Sequence, residues 1–152
     1  MKVSVVSGGF DPIHSGHIAY LNAAKEQGDI LIIALNSDAW LSNKKGQPFM
    51  SFEERKTILE NLSCVDEVID FIDDDLGSCI NALVTIKQKY PNEHIIFCNG
   101  GDRNDSNIPE MSVSGIDFKF SIGGEEKKNS SSWILKNWQG NSEDRVWGKF
   151  FN

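Results

Sequence analysis

The stretch Val3-Ser4-Val5-Val6-Ser7-Gly8-Gly9-Phe10-Asp11-Pro12-Ile13-His14-Ser15-Gly16-His17 decides the fold. Residues 3–7 are a short apolar run of the kind a buried strand carries, and from residue 18 to 27 apolar residues recur at helical spacing. Between them, Gly8 and Gly9 stand where a strand end must turn sharply and leave room for something to approach the backbone. His14 and His17 are three apart, so they share one face of the first helical turn. That turn offers unpaired N–H groups and the positive end of the helix dipole, a setting suited to phosphate. Imidazoles add donors whose contacts strengthen as charge builds on phosphate oxygens. Two plainer readings compete: a glycine turn with structural histidines, or a histidine pair that binds metal. The metal reading lacks a His-Glu-x-x-His arrangement, and the third histidine, His94, opens a separate apolar run.

Outward from this stretch, apolar runs and helical patterns alternate. Residues 30–36, 65–71, 94–99 and 116–122 read as further strands, several without the polar alternation of a half-exposed sheet. Helical patterns cover 16–27, 52–62, 78–90 and 131–138. Ser51 followed by Glu54 forms a capping box, and Pro91-Asn92 stops the third helix. The order predicts an α/β fold, a single-domain doubly wound parallel sheet. Ligands on such sheets sit beyond the carboxyl ends of the strands, near the point where strand order reverses. The first motif, Asn36-Ser37-Asp38 and Asn99-Gly100-Gly101-Asp102 all follow strands, so they converge on one edge.

At 152 residues the chain has room for one domain and no separate substrate domain. A net charge of −7 argues against a nucleic-acid partner or an acidic membrane. An anionic phosphate ligand needs a local cationic cluster instead, and Lys44, Lys45, Lys127 and Lys128 are candidates. Cys64, Cys79 and Cys98 form no Cys-x-x-Cys pair and read as buried thiols of a reducing compartment. With no leader pattern after Met1-Lys2 and no apolar run long enough to span a bilayer, a cytoplasmic location is expected. Asp73-Asp74-Asp75 reads as a solvated turn. Residues 139–152 are polar, then aromatic at Trp147, Phe150 and Phe151, and pack on the domain or on a partner subunit.

Gly-x-Phe-Asp-x-x-His-x-Gly-His, as it stands at residues 8–17, resembles the signature of the cytidylyltransferase-like nucleotidyltransferases. Glycerol-3-phosphate cytidylyltransferases and heptose-phosphate adenylyltransferases belong to that group. Asn36-Ser37-Asp38, Lys44-Lys45-Gly46, Glu54-Arg55, Gly100-Gly101-Asp102 and Ser130-Ser131-Ser132 resemble its later landmarks, in order. The likeness covers residues 1–138 and implies a Rossmann-like nucleotidyltransferase fold. It also implies transfer of a nucleoside monophosphate from CTP or ATP to a sugar or polyol phosphate, with release of pyrophosphate.

The resemblance assigns roles. His17, with His14, contacts the α-phosphate, and Lys44 or Lys45 bridges donor and acceptor phosphates. Gly8, Gly9, Phe10, Asp11 and Gly16 line the nucleotide's approach, and Gly101 and Asp102 face its sugar and base. Ser130, Ser131 and Ser132 cradle the outer phosphates at a helix start, since capping alone explains one serine and not three. Asp38, Arg55 and Arg103 are placed at the acceptor, although Arg55 also reads as a surface residue or a subunit contact. Magnesium rides mainly on substrate phosphates, so no dedicated metal cluster is expected. The family likeness and the aromatic tail together suggest a homodimer.

The cytidylyltransferase pattern carries an arginine shortly before the serines, where this chain has Gly123-Gly124-Glu125-Glu126-Lys127-Lys128. Lys127 or Lys128 replaces the charge but not the bidentate fork. The choice between CTP and ATP therefore stays open, with a slight lean to CTP. A non-catalytic nucleotide-binding module on the same fold is the alternative to an enzyme.

Overall fold

In the computed structural model, which describes residues 1–101, 108–124 and 130–139, the first apolar run becomes the middle strand of a sheet. This strand, β1 (Lys2–Gly8), pairs in parallel with β2 (Ile30–Leu35) on one side and β4 (His94–Cys98) on the other. Strand β3 (Glu67–Ile69) lies beyond β2, and β5 (Asp117–Lys119) beyond β4. The order is β3-β2-β1-β4-β5, all parallel, as the alternating pattern predicts. Strand order reverses between β1 and β4, so a ligand crevice belongs at their carboxyl ends.

Successive side chains of a strand point to opposite faces. Val3, Val5, Ile32, Ala34, Ile95 and Phe97 face one side, where Ala82, Leu83 and Ile86 of α4 (Ile80–Lys89) cover them. Val6, Leu31, Ile33, Leu35, Ile96 and Cys98 face the other, against Leu21 and Ala24 of α1 (Ser15–Glu26) and Leu59 of α3 (Phe52–Glu60). Both faces of the central strands are dry, which is why their sequences lack polar alternation. The edge strands are shorter than expected: β3 and β5 hold three residues each where the sequence suggests seven. Each has a neighbour on one side only, so their ends leave the ladder.

One element departs from the sequence reading. Lys44 and Lys45, expected in a polar loop, form the last turn of a helix, α2 (Asp38–Lys45). Ser37 caps its start, accepting the Trp40 N–H at 3.0 Å. Gly46 ends it at φ +94°, a left-handed conformation that glycine adopts without a Cβ penalty. Only Leu41 of this helix is buried, so the periodic apolar signal is nearly absent. A 3-10 turn (Pro109–Ser112) joins β4 to β5, and α5 (Ser131–Gln139) follows. Among the described residues, no helix is long and apolar enough to cross a membrane. Asp102, Arg103, Lys127, Lys128 and residues 140–152 lie outside the described residues.

Candidate active site

The carboxyl ends of β1 and β4 open into a cavity of about 660 Å³, a size suited to a small ligand. Gly8, Gly9, Phe10 and Asp11 continue from β1 into its wall, and His14, Gly16 and His17 begin α1 beside them. Ser130, Ser131 and Ser132 line it from the start of α5, and Lys44 and Lys45 from the end of α2. Gly100 and Gly101 complete the rim after β4. Residues more than a hundred positions apart thus meet where two helix N-termini converge, and both termini favour anions. The Ser131 hydroxyl fastens them together by donating to the Pro12 carbonyl at 2.8 Å.

The histidines form a stacked pair, with ring centroids 3.8 Å apart and planes 24° from parallel. His14 caps α1: its Nδ1 accepts the Gly16 N–H at 3.0 Å. His17 answers, its Nδ1 accepting the His14 N–H at 3.3 Å. With both Nδ1 atoms acting as acceptors, the hydrogen-bond network assigns the Nε2–H tautomer to each neutral ring. Both side chains are therefore built to offer a neutral N–H donor. Burial, then the charges of His14 and Lys45, push the His17 pKa down to about 3. Phe10 completes the wall edge-on to His17, centroids 4.9 Å apart, at a backbone φ of +50°. That conformation is costly for an aromatic residue and is typical of constrained functional turns.

A pH dependence of stability follows from the buried imidazole. The unfolded chain binds a proton on His17 near pH 6.5, whereas the folded chain does so only near 3. Between those values the unfolded state holds the extra proton, so this group makes stability fall as pH drops from about 7 toward 3. His17→Asn should flatten that part of a Tm-against-pH curve relative to the wild type. Parallel curves for the two proteins would reject a neutral, buried His17.

Asp11, expected at the nucleotide, lines the cavity and also braces the backbone beside it. Its carboxylate is buried, and its two oxygens accept the Phe49 and Met50 N–H groups at 2.6 and 2.7 Å. It thereby pins the segment that follows α2 against the motif. Lys45 joins the same knot, donating to the Asp11 carbonyl at 2.5 Å. Burial holds the Lys45 ammonium below the usual lysine range; Asp11 opposes this, while Lys44 and Arg55 add to it. Lys44 takes another path, its Nζ 4.9 Å over the Trp40 ring.

Asp38 and Arg55, expected at the acceptor, do not line the cavity. Arg55 is 1% exposed, and its guanidinium donates to the carbonyls of Met50, Gly9 and Asn36 and to Asp38 Oδ1. With its donors spent on the backbone behind the site, it holds the ends of β1 and β2 and the start of α3 in place. The sequence reading did not single out Trp40, Tyr20, Ile122, Gly77, Cys79 or Glu110, all of which line the cavity. Tyr20 was open to detection, since it lies three residues beyond His17 on the same helix face. Its ring also explains Gly100: a Cβ there would sit 3.2 Å from both the ring and the Ile122 carbonyl oxygen.

Residues 5–118 match the family model described as cytidylyltransferase-like. Over 149 residues, 93% of this chain, the sequence is 35% identical to the Bifunctional protein HldE of Psychromonas ingrahamii, covering 28% of that protein. The HldE of Helicobacter pylori (strain ATCC 700392 / 26695) is 45% identical over 84 residues, 54% of this chain and 18% of the relative. The chain thus spans less than a third of the length of the curated relatives it matches. Among solved structures, the lipopolysaccharide core biosynthesis protein of Thermoplasma volcanium superposes with a TM-score of 0.62 at 22% identity, over 85% of this chain and 98% of that one. A bifunctional NMN adenylyltransferase/ADP ribose pyrophosphatase of Francisella tularensis, complexed with AMP and a manganese ion, gives 0.64 at 18% identity, over 95% and 44% of the two chains. The parallel five-stranded sheet is shared with both. With three-quarters of its length matched by one family model and its motif residues gathered at one cavity, the chain belongs to the cytidylyltransferase-like family of nucleotidyltransferases.

Proposed function

We propose that the chain transfers AMP from ATP to a phosphorylated sugar and releases pyrophosphate. An oxygen of the sugar phosphate attacks the α-phosphorus, one P–O bond forms, and the bond to the pyrophosphate leaving group breaks. The attacking oxygen is already ionised at neutral pH, so alignment and charge neutralisation matter more than a general base. The observation that carries this reading is the stacked histidine pair, assigned as neutral Nε2–H donors, at the start of α1. In this reading His17 and His14 serve the α-phosphate, Lys45 and Lys44 the approaching phosphates, and Ser130, Ser131 and Ser132 the β- and γ-phosphates. The 35% identity with HldE along nearly the whole chain, and the adenylyltransferase among the solved structures that share the fold, favour ATP over CTP.

Magnesium held mainly by the substrate phosphates would neutralise part of their charge. Among the described residues, no group of three or more His, Cys, Asp or Glu side chains could hold a metal ion. Pyrophosphate release should appear with ATP, magnesium and a sugar phosphate, fall sharply with CTP and GTP, and vanish on chelation. Equal rates with all the nucleotides would overturn the choice of base. No release with any sugar phosphate would overturn the reaction.

A homodimer belongs to the same proposal. Light scattering at micromolar protein should give about twice the 17.0 kDa chain mass. The monomer mass alone would count against pairing.

A further inference from the structure

A second cavity, of about 770 Å³, adjoins the first along α5. Gln47 lines it from the segment after α2, and Lys136 lines it from α5. Lys45 and Ser132 line both cavities, so the two meet at the start of α5. Ser132 and Lys136 stand four apart, which sets them on one face of that helix. In a chain of net charge −7, the described residues around this outer space include two lysines and no carboxylate. Lys136 is exposed, and no hydrogen bond or ion pair among the described residues engages its ammonium.

In-line displacement puts the attacking oxygen and the leaving pyrophosphate on opposite sides of the α-phosphorus. With the β- and γ-phosphates at Ser130, Ser131 and Ser132, the leaving group departs on the α5 side, where the outer cavity continues from Ser132. An acceptor phosphate has to come from the other side. We propose that the outer cavity receives the departing pyrophosphate, with Lys136 as the cation that holds it once it leaves the serines. The inference rests on the nucleotidyl-transfer reading above and deepens it. Pyrophosphate is a multiply charged anion without apolar surface, so it needs cations and N–H donors and is repelled by carboxylates. Lys45, Lys136 and the Gln47 amide meet the first need, and the acid-free wall meets the second. The move shifts a product between two anion sites; no further bond forms or breaks. Run backwards, the same path admits pyrophosphate to a nucleotide-linked sugar. Its oxygen then attacks the α-phosphorus, the sugar phosphate leaves, and ATP re-forms.

The test uses Lys136→Glu, with Lys136→Arg as the variant that keeps the charge, and circular dichroism checks the folding of both. Inorganic pyrophosphate with magnesium is the probe. Its inhibition of the forward reaction should weaken by about 10-fold or more in Lys136→Glu, through one lost charge-assisted contact and added repulsion. Lys136→Arg should stay within about twofold of the wild type, since a point cation suffices at an open site. The ATP KM should stay within about twofold in both, because the bound nucleotide's phosphates end at the start of α5. An unchanged pyrophosphate inhibition constant in Lys136→Glu would overturn the inference. An equal rise in the ATP KM would also overturn it, because Lys136 would then serve the bound nucleotide. Calorimetric titration of magnesium pyrophosphate into the same proteins needs no turnover. If the wild type releases no pyrophosphate with any sugar phosphate, the underlying reaction falls on the kinetics alone. The outer site then stands on a weaker calorimetric affinity in Lys136→Glu and falls on an equal one.

Discussion

His17→Ala should lower kcat and kcat/KM together, by on the order of 100- to 1,000-fold, the usual cost of losing one preorganised donor to a developing charge. The expectation comes from how the ring is held. Its Nδ1 is occupied by the His14 N–H, its stack on His14 fixes the plane, and burial keeps it neutral. The Nε2–H donor is thus in place before substrate arrives and needs no reorganisation as charge builds. The ATP KM should move little, because the amides at the starts of α1 and α5 still meet the ground-state phosphates. His17→Asn, a shorter side chain with a donor, should recover part of the loss. Circular dichroism confirms folding in each case. A fully active, folded His17→Ala protein would remove His17 from the chemistry.

Most of this architecture was legible because burial on both faces writes itself plainly into sequence. The runs that became β2 and β4 are apolar at nearly every position, and His14, His17 and Tyr20 stand at intervals of three from the cap of α1 into its second turn. Helix α2 was not legible, since it buries only Leu41 and spends its last turn on lysines. Its signals were the caps, Ser37 before it and Gly46 after it, rather than any periodicity. The roles of Asp11 and Arg55 were hidden for another reason: a charged residue reads as an exposed or ligand-binding group until its backbone partners are known. Arg55 did carry a clue. Phe52, Arg55, Leu59 and Leu62 stand at i, i+3, i+7 and i+10, so the arginine lies within the buried stripe of α3. Glu110 carried none, because only the fold brings the connection from β4 to β5 against the start of α4.

That buried stripe gives the second large effect. Arg55→Met keeps much of the side chain's bulk but leaves the carbonyls of Met50, Gly9 and Asn36 without their donor. Each unsatisfied buried carbonyl costs about 1–3 kcal/mol, so a loss on the order of 3–5 kcal/mol is expected after partial relaxation. For a chain of this size that lowers Tm by roughly 6–20 °C. Arg55→Lys should recover only part of it, since an ammonium cannot reach three carbonyls and a carboxylate with one planar fork. Asp38→Ala should be much milder, within about 1 kcal/mol, because the Asp38 side chain is 46% exposed and its pair with Arg55 is screened. Urea unfolding of the three variants measures the series directly. The same series decides between scaffolding and acceptor binding. An acceptor-binding arginine would raise the sugar-phosphate KM in Arg55→Lys with little change in stability. A scaffold arginine loses stability first, and any loss of activity follows from displacement of Gly9 and Asn36 at the cavity wall.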